Sequence, residues 1–227
     1  MEAISTRIVL LGLGLVLASC KSPDLERADA FLELEDWPRA IALYDGLVQQ
    51  HPRLAEARMG LALARAGFER DEASNGLDSP SHWVSVAHDF AIVERIDTSL
   101  STANDRAEAL FHAAVCWQRE GRIPQAQRMA REAQSASPQH APSAQFLGTL
   151  ARAHGDTADA ERWFMRAIAA DSAYLPAWAS LGEMALSEGD PEAAILLWEE
   201  ALHRSPKQPW FLTMVRQVRD SLGLSTP

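Results

Sequence analysis

The chain has 227 residues, a formal net charge of -10, 23% charged and 47% hydrophobic residues, and only 12 Gly and 12 Pro. This composition suits one folded domain or a short repeat array and argues against a long disordered chain. No stretch concentrates Lys and Arg, so the positive charge that phosphate contacts require is missing and nucleic acid is not an expected partner.

The N-terminus reads as an address. A short polar leader ends in Arg7, the run 8–17 is almost purely apolar (IVLLGLGLVL), and Leu17-Ala18-Ser19-Cys20 follows. The run is too short to span a bilayer, which needs about 20 residues, and has the length of a signal-peptide core with small residues before a cleavage point. Leu-Ala-Ser-Cys resembles the bacterial lipobox. That resemblance implies a signal peptide over 1–19, lipidation of Cys20 and cleavage before it. Membrane attachment then runs through the lipid. Lys21, where Asp would favour inner-membrane retention, implies an outer-membrane anchor facing the periplasm. Cys116 is the only other cysteine. With Cys20 acylated no intramolecular disulfide can form, and Cys116, inside LFHAAVCW, reads as a buried core thiol.

The rest of the chain is organised by a period of 34 residues. Gly121, Gly155 and Gly189 form one series, Ala126, Ala160 and Ala194 a second, Ala133, Ala167 and Ala201 a third, and Pro138, Ser172 and Pro206 a fourth. In chain order the first unit, near 21–54, has Ala28, Phe31, Trp37, Ala40, Tyr44 and Pro52, and turns at Asp36-Trp37-Pro38 without a glycine. The second, 55–101, is irregular. One helix is expected over 55–67, then an exposed acidic loop over 68–81 (FERDEASNGLDSPS), then a helix resuming near His82. A further short insertion is expected over 97–104, before a third unit at 107–140.

The fourth unit, 141–174, carries Leu147-Gly148, Gly155-Asp156, Ala160, Phe164 and Ala167, with Ser172 in place of the terminal Pro. The fifth, 175–208, is the clearest: Trp178-x-x-Leu181-Gly182-x-x-Ala185, then Ala194-x-x-x-Trp198, Ala201 and Pro206. Gly189 is placed to end its first helix in a conformation costly for other residues. Asp190-Pro191 supplies an N-cap and a first-turn proline for the second helix. Small Gly182 and Ala194 are expected to let the two helices approach. Residues 209–222 read as an amphipathic capping helix, with Trp210, Phe211, Met214, Val215, Val218 and Leu222 at helical spacing, followed by a tail at 223–227.

The period and the W-x-x-L-G-x-x-(Y)…A-x-x-x-(F)…P spacing resemble the tetratricopeptide repeat (TPR), a helix-turn-helix unit stacked into a solenoid. The resemblance implies an all-α fold: a right-handed helical-hairpin solenoid of about five repeats over 20–208, closed by a capping helix. It also implies a concave groove lined by the first helix of each unit (helix A), which takes an extended peptide or a partner helix. The register places Phe111, Val115, Gln118 and Arg119 of unit three there, Gln145, Thr149 and Arg152 of unit four, and Ala179, Glu183 and Leu186 of unit five. The arginines are suited to carboxylates or carbonyls of the partner.

No nucleophile elbow, phosphate-binding glycine loop or C-x-x-C is present. None of the seven His residues forms an H-x-x-x-H pair on one helix face. Glu199-Glu200 lies on a second helix with no pocket indicated. Trp37, Trp117, Trp163, Trp178 and Trp198 fall at or beside packing positions and read as core. No enzyme, metal site or cofactor is expected. The expectation is a lipid-anchored periplasmic scaffold for envelope proteins, resembling pilotins of secretin and type IV pilus assembly or the repeat lipoproteins of outer-membrane protein assembly and peptidoglycan-enzyme organisation. The alternative resembles the repeat factors of cytochrome c maturation, which hold an apoprotein peptide.

Overall fold

The computed structural model describes residues 22–223. The leader, the lipobox with Cys20, and the last four residues of the tail lie outside them. Eleven α-helices form the described chain: α1 (Pro23–Glu33), α2 (Trp37–Gln50), α3 (Ala55–Ser74), α4 (Pro80–Ile96), α5 (Ala103–Arg119), α6 (Ile123–Ala136), α7 (Ala141–Ala153), α8 (Thr157–Ala170), α9 (Leu175–Ser187), α10 (Pro191–Arg204) and α11 (Pro209–Ser221). They pair as α1/α2, α3/α4, α5/α6, α7/α8 and α9/α10, each pair also packing on the next, with α11 against α10. This is the right-handed TPR solenoid with a C-terminal cap. α1, α3, α5, α7 and α9 are the A helices and the others in each pair the B helices.

The turns within pairs follow their sequence. Gly121, Gly155 and Gly189 end their A helices at φ +75°, +82° and +84°. Asp156 and Asp190 cap the next helix through the amides of Asp159 and Ala193. In unit one the same left-handed position falls on Glu35, at φ +56°, where a side chain is costly. Glu35→Gly is therefore expected to stabilise the protein by about 0.5–1 kcal/mol, after the extra unfolded-state entropy of glycine. A urea-unfolding midpoint below that of the wild type would contradict this.

Between helices the packing is ring on glycine. A Cβ at Gly148 would lie 2.5 Å from Phe164, and one at Gly182 2.1 Å from Trp198. Gly182 thus makes room for the Trp198 indole rather than for Ala194. Trp178 and Trp198 are buried as expected, and so is Trp83, whereas Trp37, Trp117 and Trp163 are only half-buried. α11 buries Phe211, Val215 and Val218, while Trp210 and Leu222 stay exposed and Trp210 meets Trp198 edge-on at 5.8 Å.

Unit two corrects the expected loop over 68–81. α3 runs on to Ser74 and α4 begins at Pro80, leaving 75–79 as the turn. The polarity of the segment suggests a loop, but Phe68, Glu69, Arg70, Glu72 and Ala73 are compatible with a helix, and no Gly or Pro follows Gly67 until Gly76. Position 67 is glycine within this helix because the Trp37 ring occupies the space a Cβ would need, at 2.7 Å, and the Trp37 indole N–H donates to Asp71 at 2.7 Å. The second insertion is also shorter than expected, since α5 starts at Ala103.

Candidate functional site

The A-helix face carries a series of side-chain bonds between successive A helices. On α7, Gln145 donates through Nε2 to Ser180 Oγ of α9 at 2.8 Å. One turn further on, Thr149 Oγ1 donates to the Gln145 carbonyl. Arg152 then meets Glu183 of α9 at 3.0 Å, both about half exposed. The predicted groove residues Gln145, Arg152 and Glu183 are thus brought together, although Arg152 and Glu183 satisfy each other. An exposed pair of this kind is worth about 0–1 kcal/mol, so an incoming partner can exchange it at little cost.

On α5, Phe111 is half-buried, with its ring 5.7 Å from that of His140 and edge-on to Phe146 at 6.0 Å. Val115 is half-buried against the central core, and Gln118 is exposed. Ala179 and Leu186 of α9 are likewise half-buried, against the C-terminal core.

Arg119 is not free. Its guanidinium pairs with Asp78 from the α3–α4 turn, whose side chain is only 5% exposed. The same carboxylate accepts from the Cys116 thiol at 2.8 Å and from the Trp83 indole at 3.2 Å. Burial acts to raise the Asp78 carboxyl, but the Cys116, Arg119 and Trp83 donors outweigh it and hold it below the ordinary range. Burial, with the Asp78 carboxylate beside it, pushes the Cys116 thiol up to about 12, so Cys116 is a hydrogen-bond donor rather than a thiolate at neutral pH. Cys116 is the buried core thiol that the sequence predicts, with the Asp78 bond in addition.

Glu108 lies outside the groove set that the repeat register gives. It sits one turn before Phe111 and accepts from His112 at 3.0 Å and His140 at 2.8 Å. These contacts, His112 first, hold its carboxyl well below the usual range against burial. His112 in turn stacks on Trp83 with centroids 4.4 Å apart. Glu108 and His140 line a cleft of about 320 Å³ with Asn104, Asp171 and Tyr174. The signal in the sequence was its register: three positions before Phe111 on one helix places both on neighbouring turns of one face. Among the described residues no cluster of His, Cys, Asp or Glu could hold a metal ion, and no helix is long and apolar enough to cross a membrane.

The sequence matches the family model of the tetratricopeptide repeat over residues 25–74 and 147–209. Those spans cover most of units one, four and five and α3 of unit two, and leave out unit three, which the 34-residue period and the α5/α6 pair define. No curated protein matches the sequence. Among solved structures, Pseudomonas aeruginosa pilF aligns with TM-score 0.56 at 12% identity, over 88% of this chain and 83% of that one. MamA aligns with TM-score 0.52 at 18% identity, over 79% and 95%. PilW, described as a widely conserved type IV pilus biogenesis factor, aligns with TM-score 0.51 at 16% identity, over 89% and 86%. At such identities the likeness is one of fold. Fold and sequence together show a helical-hairpin solenoid that carries tetratricopeptide repeats over those spans, an architecture of the interaction-scaffold type.

Proposed function

We propose that this chain is a lipid-anchored scaffold on the periplasmic face of the outer membrane, holding an envelope protein or peptide along its A-helix face. The observation that carries the binding face is the exposed, exchangeable Arg152–Glu183 pair, one step along from the Gln145–Ser180 bond and beside half-buried Phe111 and Val115. It offers apolar contact flanked by polar groups that a peptide backbone or charged side chain can engage. The anchor rests on the apolar run and on Leu17-Ala18-Ser19-Cys20. A lipid tether raises the scaffold's local concentration at the membrane. A role in pilus or secretin assembly is supported by the fold shared with PilW, a type IV pilus biogenesis factor, and by the leader.

The test is co-purification of the tagged chain from its native membranes in mild detergent, read by mass spectrometry, beside Gln118→Glu/Arg152→Glu. Both positions are exposed, so the variant keeps its fold, which circular dichroism checks. One envelope assembly is expected to enrich with wild type and drop out with the variant; retention in the variant refutes the groove assignment. Cys20→Ala is expected to lose palmitate labelling and leave the membrane fraction, and continued labelling refutes the anchor.

A further inference from the structure

A second surface lies away from the A-helix face, between units four and five. α8 and α10 flank a groove floored by the last turns of α9, with a volume of about 200 Å³. Its floor is Leu181 and Met184, both buried and continuous with the core around Phe164. Its walls are Leu197 and Met165, the latter 53% exposed. Leu196, beside Leu197 and three positions after Ala193 of the groove wall, is 67% exposed and extends the apolar stripe outward. Contiguous apolar surface of this kind marks a contact site, and methionine walls adapt to varied side chains.

The rim is of one sign. Glu161, Glu188 and Asp190 surround the groove and no cation lines it. Asp190 is held as the cap of α10, while Glu161 and Glu188 form no ion pair among the described residues. Neither arginine of α8 lines the groove: Arg162 pairs with Asp159 at 2.8 Å, and Arg166 lies over the Trp163 ring. The volume is below that of a typical small-molecule pocket and suits a protein side chain. The rim repels an anionic lipid surface and attracts a basic segment, as does the net charge of -10.

We propose that this groove docks a basic amphipathic segment of a partner protein, which seats a large apolar side chain between Met165 and Leu197 and sets Lys or Arg against Glu161 and Glu188. The site is separate from the A-helix face, so a scaffold would hold two elements at once.

The probe is a fluorescein-labelled amphipathic Leu/Lys peptide, titrated into the full chain by fluorescence anisotropy, with a Leu/Glu peptide of equal length as comparison. Wild type is expected to bind the Leu/Lys peptide and not the Leu/Glu one. Glu161→Lys/Glu188→Lys is expected to weaken it at least about tenfold, as is Met165→Glu. Glu26→Lys/Glu56→Lys, an equal charge change on units one and two, is expected to leave affinity within about twofold. So is Gln118→Glu/Arg152→Glu, which separates this site from the A-helix face. Equal weakening by the unit-one and unit-two variant would reduce the attraction to net charge and overturn the proposal. So would unchanged binding in Glu161→Lys/Glu188→Lys, or equal binding of the Leu/Glu peptide.

Discussion

Trp198→Ala is expected to lower the unfolding free energy by about 3–5 kcal/mol, the range for removing a buried aromatic ring and leaving its cavity. Trp198 is fully buried, fills the space over Gly182 and meets Trp210 edge-on, so one truncation loosens α9, α10 and α11 together. Stability in a repeat array is approximately a sum of units and neighbour interfaces, and the C-terminal unit has a neighbour on one side only apart from its cap. The loss is expected to appear as an early transition confined to unit five and α11, read by hydrogen exchange during urea titration. Trp198→Phe is expected to cost clearly less than Trp198→Ala, because the smaller ring leaves a smaller cavity. Its indole N–H is buried without an acceptor, so no hydrogen bond is lost, and Phe164 already fills the equivalent place over Gly148. Equal losses for the two substitutions would contradict this packing account.

Asp78→Ala is expected to cost about 2–4 kcal/mol, because the buried Cys116 and Trp83 donors lose their acceptor. Arg119 is about half exposed and adds little to that loss. The effect carries a pH signature. The Asp78 carboxyl is held below its ordinary value of 3.8 in the folded chain. Its stabilisation is therefore complete above that value and is lost as pH falls through the lower folded pKa. Glu108 is depressed in the same sense by His112 and His140 and loses its contribution in the same acid range. Wild-type stability is expected to fall steeply below about pH 4, and Asp78→Asn to show a shallower acid limb. Parallel acid limbs in urea-midpoint profiles would remove Asp78 as a titrating support.

What the sequence made legible is what repeats. The 34-residue series located the A and B helices of units three to five, the glycine turns and the Asp190 cap, because each depends on residues close in the chain or at one fixed spacing. Unit two was misread where polarity stood in for loop. The segment after Gly67 has helix-compatible residues, and Gly67 is no stop there: it is small because the Trp37 ring, one unit earlier, packs on it, while the Trp37 indole bonds Asp71, contacts that a local reading does not reveal. The same reason hid Asp78. Its partners Cys116 and Arg119 are 38 and 41 positions away, and their meeting depends on the stacking of α3–α4 on α5. The repeat register places Arg119 in the groove to meet a partner's carboxylate, whereas the chain supplies its own, Asp78.

The central claim is that a protein partner lies along the A-helix face, and site-specific photo-crosslinking tests it most directly. A benzophenone amino acid at Gln118, exposed at the end of α5, is compared in native membranes with one at Glu132, exposed on the B helix α6. A discrete adduct to one envelope protein from position 118, absent from position 132, is the predicted result. No adduct from position 118, or the same adduct from both positions, would contradict the claim.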